Sequence, residues 1–395
     1  MELNRTGMHL GHILVRGADG IIGATVALVE KRYAMVVMPF LAVILSLFFA
    51  FPSYDVANKP EMAHSWDAVL LQSHNVLNAV EYDPASHAAN IAFRFTPTLL
   101  GGLSGIHTLT GFLVFQGVAL IVLFVLVGRL FQRLVTDNVV ACLLTLATAF
   151  VFIGNVLCSD YRGFFDVFAF LFLVAGMLAG PSILTFLFLL LAYFTDERAL
   201  IASSLVYLFF VFANPRDLTD LKFKHLFFLN KRLVAVLVSW VVYFGIRSYL
   251  SHVFGFRTNA TGLTDYLALT QGRQINLAPF AVWTGLEGFW ILVIVALFVL
   301  AYARKYSFAF LFILGMGVII FVAVCVFDMT RSMAYLLPAI FASLVVLQKT
   351  QTERTLRYIA LGVLLVCLYP TYYAGGTSDI SVFYPMPMQV FRMMR

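Results

Sequence analysis

The sequence predicts an all-α fold, a polytopic transmembrane helical bundle of about 11 spans with its N-terminus cytoplasmic and its C-terminus outside. Three observations carry this. The 395 residues are 62% hydrophobic and 12% charged, against about 25% charged in an ordinary soluble domain. Apolar runs recur from Tyr33 to Tyr369 with no long polar stretch between them. The dense basic clusters fall between alternate runs, which is the bias of segments kept in the cytoplasm.

Residues 1–32 form a cytoplasmic N-terminal segment. It has no small-residue cleavage site and its long apolar run begins only at Tyr33, so it is not a cleaved signal peptide. Ile13 to Glu30 is moderately apolar between basic residues, and an interfacial helix is one reading of it. Residues 33–370 form a single transmembrane domain. About 20 apolar residues cross a hydrocarbon core, fewer where neighbours shield the helix. That length marks Tyr33 to Ala50, Leu109 to Val127, Val139 to Leu157, Phe164 to Ala179, Ile183 to Phe194 and Leu200 to Ala213. It then marks Leu233 to Tyr249, Phe289 to Ala303, Phe308 to Phe327, Met333 to Leu347 and Tyr358 to Tyr369.

Gly180-Pro181 either turns the chain or kinks one longer helix. Charge decides for a turn. With eleven spans, 16 basic and 7 acidic residues face the cytoplasm, against 10 basic and 13 acidic outside. Merging the pair would send the later basic clusters outward, against the bias. The long outer loops are then 51–108 and 251–288, and residues 371–395 are a short outer tail. The net charge of +6 is explained by the membrane, and nucleic acid is not needed. Cys142, Cys158, Cys325 and Cys367 lie in or beside apolar runs without metal-type spacing and read as packing thiols.

The polar residues that resist a purely structural account gather outside. The first outer loop holds Asp55, Glu61, Asp67, Glu81 and Asp83 with His64, His74 and His87. Such a loop can hold a general base at the membrane surface, or be a solvated amphipathic segment. Asp55, five residues past the first span, has the shortest reach. His87 and Arg94 are two helical turns apart on one face. Asp160, Arg162 and Asp166 mark the next outer turn; Asp166 lies inside a span and needs a partner, for which Arg162 is nearest in sequence. Thr195 suits a helix cap with Asp196 and Glu197 at the positive dipole end, a placement that leaves Arg198 unexplained. Asp328 and Arg331 stand at i and i+3. Arginine forks suit phosphate, whereas acids suit proton transfer or a divalent metal, so neither chemistry follows uniquely. No Walker loop, dinucleotide fingerprint, HExxH helix or nucleophile elbow is present. No metal ligand set and no cofactor is assigned, although the acids leave room for a divalent ion.

A long outer loop after the first span, an early acid at Asp55 and polar residues capping later spans together resemble the class C glycosyltransferases. The resemblance covers roughly Tyr33 to Tyr369 in arrangement. It implies transfer of a sugar from a polyprenyl-phosphate donor to a glycan or lipid-linked acceptor at the outer, periplasmic or luminal, face; the charge bias fits a bacterial inner membrane or a eukaryotic secretory membrane, and the bacterial one is the reading taken. On that resemblance Asp55 is the base; here it stands alone in Ser53-Tyr54-Asp55-Val56, not in the paired acidic motif of many members, and the family's soluble C-terminal domain is missing. Asp196 and Glu197 are the other candidate bases. Arg162, Arg198 or Arg331 would steady the departing lipid phosphate, with His87 and Arg94 positioning substrate and Asp160, Asp166 and Asp328 beside them. Two other readings use the same residues: a transporter or flippase of an anionic or lipid-linked substrate, and a polymerase or ligase of surface polysaccharide.

Overall fold

The computed structural model describes residues 2–31, 33–57, 60–77, 92–227, 230–256, 274–326, 328–369, 372–375 and 379–394. His87 and the acids at 81 and 83 lie outside them. Helices dominate, in the order α1 (Glu2–Val29), α2 (Ala34–Phe49), α3 (Pro60–His74), α4 (Phe95–Leu103), α5 (Leu109–Leu134), α6 (Asn138–Thr148), α7 (Leu157–Asp160), α8 (Asp166–Leu178), α9 (Ser182–Tyr193) and α10 (Arg198–Ala213). There follow α11 (Lys231–Phe254), α12 (Gln274–Leu286), α13 (Trp290–Tyr302), α14 (Tyr306–Val324), α15 (Met329–Met333), α16 (Leu337–Gln348) and α17 (Glu353–Cys367). A hairpin of β1 (Tyr372–Gly375) and β2 (Asp379–Val382), pairing Tyr372 with Val382, leads into α18 (Met386–Met393).

The helices begin where a polar side chain precedes an apolar run. Thr108 accepts from Gly111 N at 3.1 Å, Asp137 from Val139 N at 2.9 Å, and Asn230 from Arg232 N and Leu233 N, both at 2.9 Å. Each supplies an acceptor to backbone donors that the first helical turn leaves unused. α11 stops at Gly255, whose φ of 69° is the left-handed turn that a residue without Cβ makes at little cost.

Among the described residues five segments are long and apolar enough to cross a membrane: Leu109–Leu134, Lys231–Phe254, Asn276–Tyr302, Tyr306–Val324 and Met329–Gln348. A further pair, Val15–Val29 and Ala34–Phe49, passes the same criterion together but bends by 117° between its halves. α6, α8, α9 and α10 are apolar but shorter. At 1.5 Å per residue α8 is about 20 Å long, less than a hydrocarbon core of about 30 Å. It is nearly all buried, so protein rather than lipid solvates its ends.

Among the described residues each of the eleven apolar runs lies wholly or partly on a helix; two differ from expectation, and the turn between two others is as expected. The run from Val139 is helical only to Thr148, because Gly154 brings residues 149–156 back against it: a Cβ there would lie 2.1 Å from the Thr148 carbonyl oxygen. The chain turns at Gly180-Pro181, and α8 and α9 pack as a hairpin closed by Thr185 Oγ1 donating to Gly176 O at 3.1 Å. The end of the second long loop is not a loop. α12 runs into α13 through a break at Glu287, which is buried with a φ of 47°. The charge and glycine at 287–288 disguised one interrupted apolar segment as a loop followed by a helix.

α16 forms the centre, with α10 and α13 packed on it and every residue from Met329 to Leu347 buried. α11 and α14 flank α10 and stay largely exposed on their apolar outer sides. At one end of the bundle Lys305 donates to the carbonyls of Thr219 (2.9 Å) and Leu221 (2.7 Å), and Arg133 and Arg232 reach those of Leu178 and Gly180. The basic clusters thus gather at one end, and the acid-and-arginine segments at the other.

Candidate functional site

The site is built from the starts of α4, α8, α10 and α15, four segments separated by up to 237 residues in the chain. Asp166 opens α8. Asp160, six residues earlier, caps that helix by accepting from the backbone N–H groups of Asp166 (3.1 Å) and Val167 (3.0 Å). Gln116 clamps the turn by donating to the carbonyls of Asp160 (3.1 Å) and Phe164 (2.7 Å). Asp160 is therefore a structural cap, and its own carboxylate is spent on the backbone.

Asp166 is fully buried and is paired with Arg331 rather than with its sequence neighbour Arg162. Arg331 Nε and Nη2 donate to its two oxygens, Arg198 Nη2 lies 3.2 Å from Oδ1, and the Tyr335 hydroxyl donates to Oδ1 at 2.7 Å. Arg162 is exposed and donates to the Tyr161 hydroxyl at 3.1 Å. The i, i+4 expectation fails because Gly163, at φ 84°, interrupts the helix between 162 and 166.

Asp196 sits in the α9–α10 turn. Its Oδ1 accepts from Arg198 N (2.9 Å) and Arg198 Nε (2.8 Å), its Oδ2 from Arg198 Nη2 (2.6 Å), and Arg94 and Arg331 approach Oδ2 at 3.3 and 3.6 Å. Thr195 does not cap α10; its hydroxyl donates back to Leu191 O at 2.7 Å. The arginine that the helix dipole disfavours is held by two carboxylates, and its remaining nitrogen donates to Ser332 Oγ at 2.8 Å. Burial pushes the Asp196 carboxyl up, but Arg198, Arg94 and Arg331 outweigh it and hold the group well below the usual carboxylate range. Asp328 completes the set, 3.2 Å from Arg331 Nη1 and accepting from the Tyr373 hydroxyl at 2.9 Å, so the C-terminal hairpin is part of the site.

Asp166, Asp196 and Asp328 thus face Arg94, Arg198 and Arg331, three charges against three. Arg331 also lies 3.7 Å from the Phe164 ring centroid and Arg198 4.9 Å from that of Tyr335, which suits guanidinium groups stripped of water. Such a balanced network, buried at Asp166, Asp196 and Arg331 and partly open at Arg94 and Asp328, fixes where helix ends meet. It leaves little capacity for a substrate at Arg198 or Arg331. Arg94 Nε, buried without a hydrogen-bond partner among the described residues, is an exception.

A second pair stands beside the cluster and is open to solvent. Glu197, 45% exposed, accepts from Arg247 Nη1 at 3.0 Å, and Arg247 also donates to the Tyr243 hydroxyl at 2.7 Å and lies 4.4 Å from the Phe93 ring centroid. Arg247 did not emerge from sequence. Its signal is an arginine near the end of an apolar helix, which requires a partner. Asp55 is exposed and accepts a long bond of 3.4 Å from Gln389 of α18. It does not join the charge cluster.

Below Glu197 and Arg247 runs an apolar groove between α11 and α14, floored by α10. It comprises two adjoining cavities of about 860 and 470 Å³ that share Tyr207, Leu226 and Leu311. The second ends at Leu200 and Phe244, one helical turn from Glu197 and Arg247 respectively. Ile201 lines both this groove and a narrow cleft that reaches Arg198 and Ser332. Among the described residues no three His, Cys, Asp or Glu side chains are placed to share a metal ion. Comparison with protein-family models, curated proteins and solved structures finds no match to this chain.

Proposed function

We propose that this chain is an eleven-span enzyme of a bacterial inner membrane, N-terminus inside and C-terminus outside, that transfers a sugar from a polyprenyl-phosphate donor to a glycan or lipid-linked acceptor at the outer face. The observation that carries the reading is the apolar groove that ends one turn below an exposed carboxylate and arginine. A long isoprenoid chain fits a laterally open apolar groove, and its phosphate then emerges beside Arg247. Exposed side chains such as Phe227, Phe310 and Phe244 border the groove, as expected of walls shared with lipid.

In this reading Glu197 takes the proton of an acceptor hydroxyl as that oxygen bonds to the anomeric carbon. The bond from that carbon to the phosphate oxygen breaks, and its electron pair leaves with the lipid phosphate, held by the Arg247 guanidinium fork and by Arg94. Asp196 is too deeply paired for the role of base. Asp166, Arg198, Arg331 and Asp328 hold the helix ends in register, and no metal or cofactor enters the scheme.

The test is transfer from an undecaprenyl-phosphate-linked hexose by purified, reconstituted protein. Glu197→Gln should lower the rate about 10²- to 10⁴-fold, the usual contribution of a positioned base, while leaving the fold intact. No transfer from any such donor, together with full cellular function of the Glu197→Gln and Arg247→Gln variants, would sink the reading. A ladder of long products would instead make the chain a polymerase.

A further inference from the structure

The far ends of α8, α10 and α16 meet around a second polar feature that the scheme above does not use. Arg133 near the end of α5, Arg232 at the start of α11 and Lys349 just past α16 line a cavity of about 300 Å³ with apolar walls that include Met177 and Phe209. Gln348 is its other polar lining residue, and no carboxylate lines it. α8 and α10 separate it from the carboxylate–arginine cluster by about 20 to 24 Å at 1.5 Å per residue.

Each cation is tethered and yet keeps donors. Arg133 Nη1 donates to Leu178 O at 2.6 Å, Arg232 Nη2 to Gly180 O at 3.2 Å, and Lys349 Nζ to Pro215 O at 2.5 Å and to Phe212 O. A guanidinium carries five N–H groups, so most of those on Arg133 and Arg232 remain for another acceptor. The bland account is that these residues neutralise helix C-termini. Magnitudes decide against its sufficiency. The C-terminal ends of α5, α8, α10 and α16 together carry roughly −2 charges and the start of α11 roughly +0.5. Three cations leave an excess of roughly +1.5, or roughly +0.5 once Asp217, which acts on Lys349, is counted. Arg133 and Arg232 repel one another, and burial pushes the Lys349 ammonium down to about 8, with Asp217 acting the other way. A pocket that holds like charges together in this way is stabilised by an anion.

We propose that this pocket binds the phosphate group of an anionic molecule at the membrane face opposite the candidate active site. Guanidinium forks match phosphate oxygens, and basic pockets between membrane helices on the cytoplasmic side hold phosphate headgroups. The phosphate comes either from a phospholipid headgroup or from free phosphate in solution.

The experiment uses the full chain purified in detergent, with phosphatidylglycerol as one probe and inorganic phosphate as the other. Native mass spectrometry should retain one phosphatidylglycerol on the wild type, with binding weakened about fivefold for each charge removed in Arg133→Gln, Arg232→Gln and Lys349→Gln. Retained lipid identifies the headgroup as the source; a rise in melting temperature with inorganic phosphate alone, lost in the triple variant, identifies free phosphate. The double variant Arg133→Lys with Arg232→Lys should bind more weakly than wild type and more tightly than the Arg133→Gln, Arg232→Gln pair, since it keeps the charge and gives up the fork. Equal binding by wild type and the triple variant in both arms overturns the proposal. Should the triple variant not fold, the Arg133→Gln, Arg232→Gln pair, which forgoes only two backbone bonds, gives the same comparison.

Discussion

Replacing Asp166 by Asn is the sharpest test of the buried network. The carboxylate is fully buried and takes Arg331 on both oxygens, Arg198 at 3.2 Å and the Tyr335 hydroxyl at 2.7 Å. Asn keeps the volume and can still accept from Tyr335, so the perturbation is essentially one unit of charge. The five remaining groups carry a net +1 around a buried Arg331, and breaking a buried pair by removing one partner costs about 3 to 5 kcal/mol. That is a large part of the roughly 5 to 15 kcal/mol that holds a folded domain together. Arg331→Met alone should cost a similar amount by leaving the carboxylates in excess. The double variant restores balance and should be less destabilised than the sum of the singles by about 1 to 3 kcal/mol. Equilibrium unfolding of purified protein in mixed micelles, titrated with sodium dodecyl sulfate and followed by helical circular dichroism, measures all three. A loss below about 1 kcal/mol for Asp166→Asn, or strict additivity in the double variant, would show that water reaches the cluster and that the charge balance holds nothing in place.

Two other expectations test the fold around the site. A Cβ on Gly288 would lie 2.3 Å from the Val363 carbonyl oxygen and 2.8 Å from Cys367 Sγ, so Gly288→Ala should cost about 1 to 3 kcal/mol or more in the same unfolding assay; Gly180→Ala, with nothing within 4 Å, should stay within about 0.5 kcal/mol. Asp196 and Asp328 are both held below the usual carboxylate range in the folded chain, against the upward push of burial, by Arg198 and Arg331 respectively in the first place. A depressed carboxyl contributes stability that is present above the unfolded-state pKa and lost as pH falls through the folded one, so the melting temperature should decline below about pH 4; burial and Asp166 push the Asp160 carboxyl up, which acts the other way at higher pH, so the result that would contradict the pairing is the absence of that decline in an Asp160→Asn background.

Part of the functional surface was legible in the chain and part was not, for reasons that particular residues make plain. Asp166 announced its need for a partner, because an ion inside an apolar run is costly wherever the run ends up. Its partner could not be read. Arg162 is four positions away but lies across the break at Gly163, whereas Arg331 is 165 positions away and reaches Asp166 from α15 by its side chain. Asp160 reads in sequence as one of the substrate-binding polar residues, and its carboxylate caps a helix, a role visible only once the backbone groups of Asp166 and Val167 turn toward it. Asp55 followed from a resemblance in layout and stands apart, touching Gln389 of the terminal helix.

The sequence by itself determined the helical class, the apolar runs and the turn at Gly180-Pro181. These depend on sums over short stretches of chain, on hydropathy, charge bias and the stiffness of proline, and such sums survive whatever the rest of the molecule does. Tertiary structure alone decided which acid meets which arginine, that Asp196 is buried while its neighbour Glu197 is open, and that Arg247 and an apolar groove stand beside Glu197. A charge pair is a property of distance and of the dielectric around it, and both are set by how helices remote in sequence pack.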